Sequence, residues 1–273
     1  MKFAKYALLA GFILPALAGQ SAAQVFDSGP SDPGLFDTVT NIPPSPDIGD
    51  SVDIGGVVGQ TIQVNVGDGG SVGNNLQTLF GGEVNISGGV VGIGLTADGG
   101  EVNILGGTAG DSVTSIGGGQ INFSGGSIGD GSAVFSGSEF NMSGGTIGTN
   151  GAVFSVFGGV FNLSGGTINN SLSASADSEV NIVGTAFTLD GLSLDSLVLN
   201  QPTTITKRDV TLSGTLADGN PFSFDLNTTA PFGEDFVPGN VTLTVTLVPE
   251  PGSLTLMALG AGLISRRRRI SRR

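Results

Sequence analysis

A short phrase that returns at a nearly fixed interval constrains the fold of this chain more than any other feature. At the centre of the phrase an asparagine lies between two apolar residues, and a Gly-Gly pair often follows. The asparagines recur in nearly even steps, and they are Asn65, Asn85, Asn103, Asn122, Asn141, Asn162 and Asn181. A fixed repeat of about 20 residues predicts a solenoid.

The alternation around each asparagine predicts a strand with the asparagine directed outward and its apolar neighbours directed inward. A second apolar column is expected six residues after each asparagine, at Val91, Ala109, Ile128, Ile147, Ile168 and Phe187. A less regular third column includes Ile116, Phe135 and Phe154. Three short strands joined at Gly-Gly corners make one coil, so we predict an all-β fold, a right-handed parallel β-helix with coils of about 19 residues.

The chain divides into five parts on composition and pattern. They are a signal peptide at 1–23, a Pro/Asp-rich linker or arm at 24–50, the β-helix repeats at 51–189, a C-terminal β cap at 190–247 and a tail at 248–273. The cap is expected because the open end of a stack needs a cover. It contains a predicted hairpin around Asp218-Gly219-Asn220 and a second alternating strand at 241–247. The phrase at 52–56 is interpreted as the start of an N-terminal cap.

Composition excludes several classes of function. The chain has no Cys and no His, so a disulfide framework and thiolate metal sites are excluded, and the commonest metal ligand and general base are missing. The formal net charge is −13, and residues 6–206 contain no Lys or Arg. A body without cations cannot neutralise phosphates, so we expect no nucleic-acid partner. We also predict no cofactor and no metal site.

The beginning of the sequence resembles a secretory signal. Lys2 and Lys5 form a positive segment, the apolar stretch 7–18 follows, and the small residues 21–23 precede a plausible cleavage point. The apolar stretch is shorter than the ~20 residues that a membrane span requires.

The tail carries the most specific motif in the chain. Val248-Pro249-Glu250-Pro251 is followed by the apolar run "GSLTLMALGAGLI" and then by "SRRRRISRR". This order resembles the PEP-CTERM sorting tail of exported proteins, a type also described as the C-terminal domain of ice-binding proteins. The resemblance implies processing by an exosortase-type enzyme near residues 249–251, transient contact of the tail with the inner membrane, and delivery to the cell-envelope surface or extracellular matrix. An ordinary C-terminal membrane anchor is the alternative. The body resembles Gly-rich β-helical exported proteins with such tails, of the kind found in planctomycetes.

The repeated asparagines are expected to form a ladder of stacked side-chain amides. Two residues before them, Glu83 and Glu101 are expected to stack in adjacent coils, where a bridging Ca²⁺ is an open alternative. Asp111 and Asp130 each lie eight residues after an asparagine, and they are the best candidate pair for hydrolysis by two carboxylates.

A column of hydroxyl side chains lies five residues after the asparagines. It consists of Thr108, Ser127, Thr146 and Thr167, and it lapses to Val90 and Ala186 at its ends. We predict an exported structural or adhesive protein that is associated with exopolysaccharide and is not an enzyme. The alternative is a carbohydrate- or ice-binding surface module that uses the hydroxyl column, and the third possibility is a β-helix glycoside hydrolase.

Overall fold

The computed structural model describes residues 24–26, 40–42, 50–55, 62–149, 153–169, 171–175, 177–229 and 233–250. Within these ranges every regular element is a β-strand, and most strands belong to parallel ladders that wind into a solenoid. The described ranges contain no helix of the length and apolarity needed to cross a membrane. The predicted signal peptide and the apolar run of the tail lie outside the described residues.

The first ladder, here called the Asn face, contains the asparagine strands. Its strands pair in parallel with each asparagine opposite the next, over six turns from Asn65 to Asn181. They are β2 (Thr40–Ile42), β4 (Ile62–Val66), β7 (Gly82–Ile86), β10 (Glu101–Ile104), β13 (Gln120–Phe123), β16 (Glu139–Ile147), β18 (Val160–Ile168) and β20 (Glu179–Leu189). The predicted parallel β-solenoid with a repeat of about 19 residues is confirmed.

A second ladder, the hydroxyl face, follows the Gly-Gly corner of each coil. Its strands are β5 (Ser71–Val72), β8 (Val90–Val91), β11 (Thr108–Ala109) and β14 (Ser127–Ile128). The last residues of β16 and β18 continue the ladder, because Ser127 pairs with Thr146 and Thr146 pairs with Thr167.

The third face completes each coil and forms a separate parallel sheet of eight strands. The strands are β1 (Gln24–Phe26), β3 (Val52–Ile54), β6 (Leu76–Leu79), β9 (Thr96–Asp98), β12 (Thr114–Ile116), β15 (Ala133–Phe135), β17 (Val153–Phe157) and β19 (Ser171–Ala174). One coil therefore consists of three short strands, as the sequence predicts.

Glycine is needed at the corner between the Asn face and the hydroxyl face. Gly107 has φ +76°, and a Cβ atom built there would lie 2.5 Å from the carbonyl oxygen of Gly88 in the preceding coil. Neither the conformation nor the close approach of the two backbones tolerates a side chain. The Gly-Gly pairs therefore set how closely successive coils stack.

The centre of the solenoid is filled by apolar side chains from all three faces. The inward residues of the Asn face are buried as predicted, and so are Val91, Ala109, Ile128 and Ile147 on the hydroxyl face. Phe140, Phe154 and Phe161 form an aromatic cluster with ring centroids 4.6 to 6.1 Å apart.

The prediction for the third apolar column was wrong at two of its three positions. Phe154 is fully buried, but Phe135 is 40% exposed and Ile116 is half-buried. Ser115 and Val134 take the inward positions, because the strands of the third face alternate one residue out of step with the predicted column.

The solenoid begins earlier in the chain than the sequence indicates. Strands β1 and β2 lie inside the segment 24–50, for which composition predicts a linker or arm, and they pair in parallel with β3 and β4. Strand β3, at the predicted start of a cap, pairs in register with β6 of the third face. It is therefore a regular part of the stack.

The C-terminal residues cover the last coil with a cap that continues the sheet of the Asn face. Its strands are β21 (Leu192–Ser193), β22 (Pro202–Thr204), β23 (Thr211–Leu216), β24 (Pro221–Asp225) and β25 (Thr242–Leu247). Strand β25 runs parallel to β20 and takes the place of a further coil. The predicted hairpin is confirmed as β23 and β24, and β23 pairs with the second half of β20. Ala186 and Phe187 consequently leave the columns predicted for them and lie opposite Thr215 and Gly214.

Two charged side chains hold the cap together through backbone groups. The Arg208 guanidinium donates hydrogen bonds to the carbonyls of Ile205 at 2.6 Å, Val241 at 2.9 Å and Pro238 at 3.3 Å. The Asp235 carboxylate accepts the N–H groups of Leu172 at 2.7 Å and of Asp225 at 2.9 Å. Asp235 therefore ties the cap to the third face of the solenoid.

The pKa values of two carboxyl groups in the cap, Asp235 and Asp209, are shifted in opposite directions. Burial raises the pKa of Asp235, despite the two N–H groups that lower it. Hydrogen bonds from the backbone N–H and the hydroxyl of Thr228 lower the pKa of Asp209. In a ¹³C NMR titration of the carboxyl groups, we expect Asp235 to titrate at higher pH than Asp209; the reverse order would contradict the cap geometry.

The same shifts set the sign of two contributions to stability. Folding favours protonated Asp235, so its contribution is complete below the unfolded pKa of about 3.9 and is lost as pH rises through the raised folded value. Folding favours ionised Asp209, so its contribution is present above that unfolded pKa and is lost as pH falls through the lowered folded value.

The aromatic cluster predicts a large cost for truncation. Phe161→Ala removes a fully buried ring, so we expect the free energy of unfolding to fall by about 3–5 kcal/mol. The control Phe80→Ala changes a ring that is 60% exposed, and we expect a change within about 0.5 kcal/mol. Urea unfolding measures both, and equal losses would contradict this placement of the core.

Candidate functional site

The seven asparagine side chains form a continuous hydrogen-bonded ladder, as predicted. Each Nδ2 donates to the Oδ1 of the asparagine in the preceding coil, at 3.0, 2.9, 2.8, 2.9, 2.7 and 2.9 Å from Asn85 to Asn181. At the end of the stack the hydroxyl of Thr244 in β25 donates to Oδ1 of Asn181. The ladder therefore continues into the cap.

Glutamates beside the ladder accept hydrogen bonds from four of its asparagine amides. Asn85 donates to Glu83 at 2.8 Å and Asn122 to Glu101 at 3.0 Å. The same arrangement joins Asn162 to Glu139 at 2.6 Å and Asn181 to Glu179 at 2.8 Å. These donors offset the repulsion between stacked carboxylates. In the part of the chain that the structure describes, no group of three or more acidic side chains is placed to hold a metal ion.

The candidate carboxylate pair lies at the corner after the hydroxyl face. Asp111 Oδ1 accepts the backbone N–H of Asp130 at 2.8 Å, and Asp130 Oδ1 accepts that of Thr149 at 2.9 Å. Asn74 holds the N–H of Ile93 in the same way at 2.8 Å. The two aspartates do lie in adjacent coils, but each one joins its own coil to the next.

The hydroxyl column is unbroken over four coils, from Thr108 to Thr167, and faces outward. Thr108, Ser127, Thr146 and Thr167 stand in register, and Ser127 donates to the Thr108 hydroxyl at 3.3 Å. Ser71 pairs with Val90 below them, so the column begins one coil earlier than predicted and is interrupted at Val90. Its upper end meets a shallow cleft between the solenoid and the cap hairpin, lined by Thr167, Ile168, Pro221, Phe222 and Ser223 among others.

The charge of the body is almost entirely negative. All 23 acidic residues lie between positions 27 and 250, and the only cations in that span are Lys207 and Arg208. Arg208 is bound by cap carbonyls, and Lys207 Nζ lies 3.3 Å from a carboxylate oxygen of Asp190 in an exposed ion pair. Of the two cations of the described body, Arg208 is therefore occupied by the cap, and Lys207 stays exposed in a surface ion pair.

The sorting motif begins where the folded body ends. The N–H of Val248 donates to the carbonyl of Gly184 at 2.8 Å and extends the pairing of β25 with β20 by one residue. Pro249 lacks an N–H and so ends the ladder, and Glu250 is exposed. Pro251 lies outside the described residues. Cleavage after this point would leave the last strand of the cap intact.

Sequence reasoning missed three structural devices. Strand β2 places Asn41 opposite Asn65. The apolar Ile42 after Asn41 was a weak sign of this further strand, because the step from Asn41 to Asn65 is longer than the repeat. Thr244 ends the ladder with a hydroxyl, so a search for asparagine could not find it. Asp111 and Asn74 accept hydrogen bonds from backbone N–H groups at a corner of the coil. Because almost every residue has such an N–H group, no pattern in the sequence marks these bonds.

The ladder predicts that a central asparagine is important for stability. Asn122 donates to Asn103 and Glu101 and accepts from Asn141, so Asn122→Ala is expected to lower the free energy of unfolding by about 2–4 kcal/mol. Asn122→Asp removes both donors and places a charge beside Glu101, so we expect a loss at least as large at neutral pH and a smaller one in acid.

The matched control is Ser124→Ala, at an exposed position directly after the same strand, with an expected change within about 0.5 kcal/mol. Thermal or urea unfolding measures the three variants. A loss for Asn122→Ala no larger than that of the control would contradict a structural ladder.

Comparison with known proteins identifies the tail. Residues 247–269 match the family of the PEP-CTERM protein-sorting motif. No curated protein and no solved structure matches the chain. The matched residues begin at the end of β25 and include the predicted motif 248–251. The chain thus carries a PEP-CTERM sorting motif, which marks an exported protein that is sorted by exosortase and attached to the cell surface.

Proposed function

We propose that the solenoid body is a structural or adhesive element of the cell surface or extracellular matrix, in contact with exopolysaccharide. The observation that carries this proposal is the sorting motif joined directly to a rigid stack of coils. A parallel solenoid presents long, regular faces, which suit repeated weak contacts with an extended polymer.

The side chains with possible chemistry support a body that is not an enzyme. The carboxylates of Asp111 and Asp130 accept backbone N–H groups between coils, as a structural residue would. The asparagine amides and the neighbouring glutamates bind one another. A working acid–base pair needs groups that are free to reach a substrate.

The location and the polysaccharide contact are tested by fractionating cells that produce the full chain. We expect the body in the surface-polysaccharide fraction, and we expect enzymatic removal of the polysaccharide to release it. A body that remains at the surface after complete removal of the polysaccharide would contradict the proposed contact.

A second candidate, a surface-binding module, is favoured by the continuous register of the hydroxyl column from Thr108 to Thr167. Thr146→Val combined with Thr167→Val removes two hydroxyl groups and keeps the β-branched shape. If the column binds carbohydrate or ice, this variant loses the affinity for glycan or ice surfaces that the unaltered protein has.

The geometry of the motif predicts how processing fails. Pro249→Ala combined with Pro251→Ala changes the sorting motif outside the folded body, so we expect full-length protein to accumulate in the membrane fraction with an intact fold. Pro202→Ala, at an exposed position of the cap, serves as the control and is expected to be processed normally. Immunoblotting of membrane and surface fractions measures both, and normal release of the double variant would contradict the assignment.

A further inference from the structure

An exposed pair of stacked aromatic rings stands on the third face. Phe135 ends β15 and Phe157 ends β17, and the two residues pair in register. Their ring centroids are 5.2 Å apart at an interplanar angle of 27°, and the side chains are 40% and 45% exposed. We call this pair the Phe platform. It contrasts with Phe154 in the same sheet, which is fully buried.

The surroundings leave the platform accessible. The neighbouring outward column of the same face is largely polar and contains Gln77, Thr96, Thr114, Ser155 and Ser173. On the other side the chain turns at Gly137 and Gly158, and a Cβ atom built at Gly137 would meet nothing within 4 Å. The two rings are therefore an exposed apolar surface beside an open corner.

The two rings alone are too small to form a stable protein interface. At 40% and 45% exposure the two rings offer on the order of 150–200 Å² of apolar surface. A stable protein interface requires about 800 Å² from each partner. A second copy of this chain would also bring a net charge of −13 against an equally negative surface. The platform instead matches a ligand of the size of a few sugar rings.

The negative charge near the Phe platform favours a neutral sugar over an anionic one. Asp98 lies opposite Ile116 in the column that continues to the Phe platform, and its carboxylate is held by Gln77 at 2.9 Å. Both cations of the described body are engaged within the cap. An anionic glycan would therefore meet repulsion without a compensating donor of positive charge, whereas a neutral glycan would not.

We propose that the Phe platform binds the pyranose rings of a neutral polysaccharide. The two rings stack on each other, so they offer a sugar their edges and outer faces. Packing of the C–H groups of a sugar ring against them removes apolar surface of both from water. The proposal rests on the proposed function, because it names the residues and the class of polysaccharide for that contact.

Native affinity electrophoresis of the purified full chain tests the proposal. The gels contain hydroxyethyl cellulose, dextran or laminarin as neutral polymers, alginate as an anionic polymer, or no polymer. The strongly negative protein migrates readily, so binding appears as retardation. The variant Phe135→Ser/Phe157→Ser removes the platform, Thr146→Val/Thr167→Val alters the hydroxyl face, and Phe80→Ser removes another exposed ring. Urea unfolding verifies that every variant is folded.

We expect retardation in at least one neutral gel, with an affinity that falls about fivefold or more in the platform variant and is unchanged in Phe80→Ser. A loss of affinity in the hydroxyl-face variant but not in the platform variant would place the binding on the hydroxyl column and overturn the proposal. Equal retardation of the platform variant and the unaltered chain would overturn the proposal. So would retardation in the alginate gel alone, or the absence of retardation in every gel that contains a polymer.

The fractionation experiment separates this proposal from the function on which it rests. A platform variant that still accompanies the surface polysaccharide, and is still released when the polysaccharide is removed, contradicts the platform and leaves the function intact. A chain that never accompanies the polysaccharide contradicts both.

Discussion

In-register stacking between successive coils is the constraint on which the rest of the structure depends. A single coil of about 19 residues is rich in glycine and buries few side chains, so it cannot offset the conformational entropy that it loses on folding. Stacking supplies backbone hydrogen bonds on three faces and covers the apolar edge of each coil with the next. The asparagine ladder adds one side-chain bond at each step, and a shift of one residue would break it along with the burial pattern.

Because the fold depends on the stacking of coils, many polar side chains form hydrogen bonds from one coil to the next. Amides bind amides and glutamates on the Asn face, and aspartates bind backbone N–H groups at a corner. Both cations serve the cap. The hydroxyl column, the exposed aromatic rings and the sorting motif after the last strand are the surfaces for which we propose a function.

Most of the fold could be predicted because the repeat specifies the Asn face almost completely. The period of two around each asparagine fixes which residues point inward, and the Gly-Gly pairs fix the first corner. The third face was less predictable, since its strands are bounded by turns of variable length, and Phe135 was placed in the core although it faces solvent. Ala186 and Phe187 left the repeat because the cap hairpin competes for their strand. Asp111 and Asp130 resembled a catalytic pair because they have the same spacing in adjacent coils. Their bonds to backbone N–H groups could not be foreseen, because almost every residue provides such a group.

The cap ends the stack of coils, and the sorting motif follows the cap directly. Strand β25 closes the open edge of the Asn face with a threonine at the position of the next asparagine, and the proline after Val248 ends the pairing where the tail begins. The central claim is that the coils are stabilised jointly through their ladders. Hydrogen exchange of the purified body, followed by mass spectrometry, tests it most directly. Joint stabilisation predicts that the asparagine strands from β7 to β18 share one slow opening rate, whereas coils that exchange rapidly and independently of one another would contradict the claim.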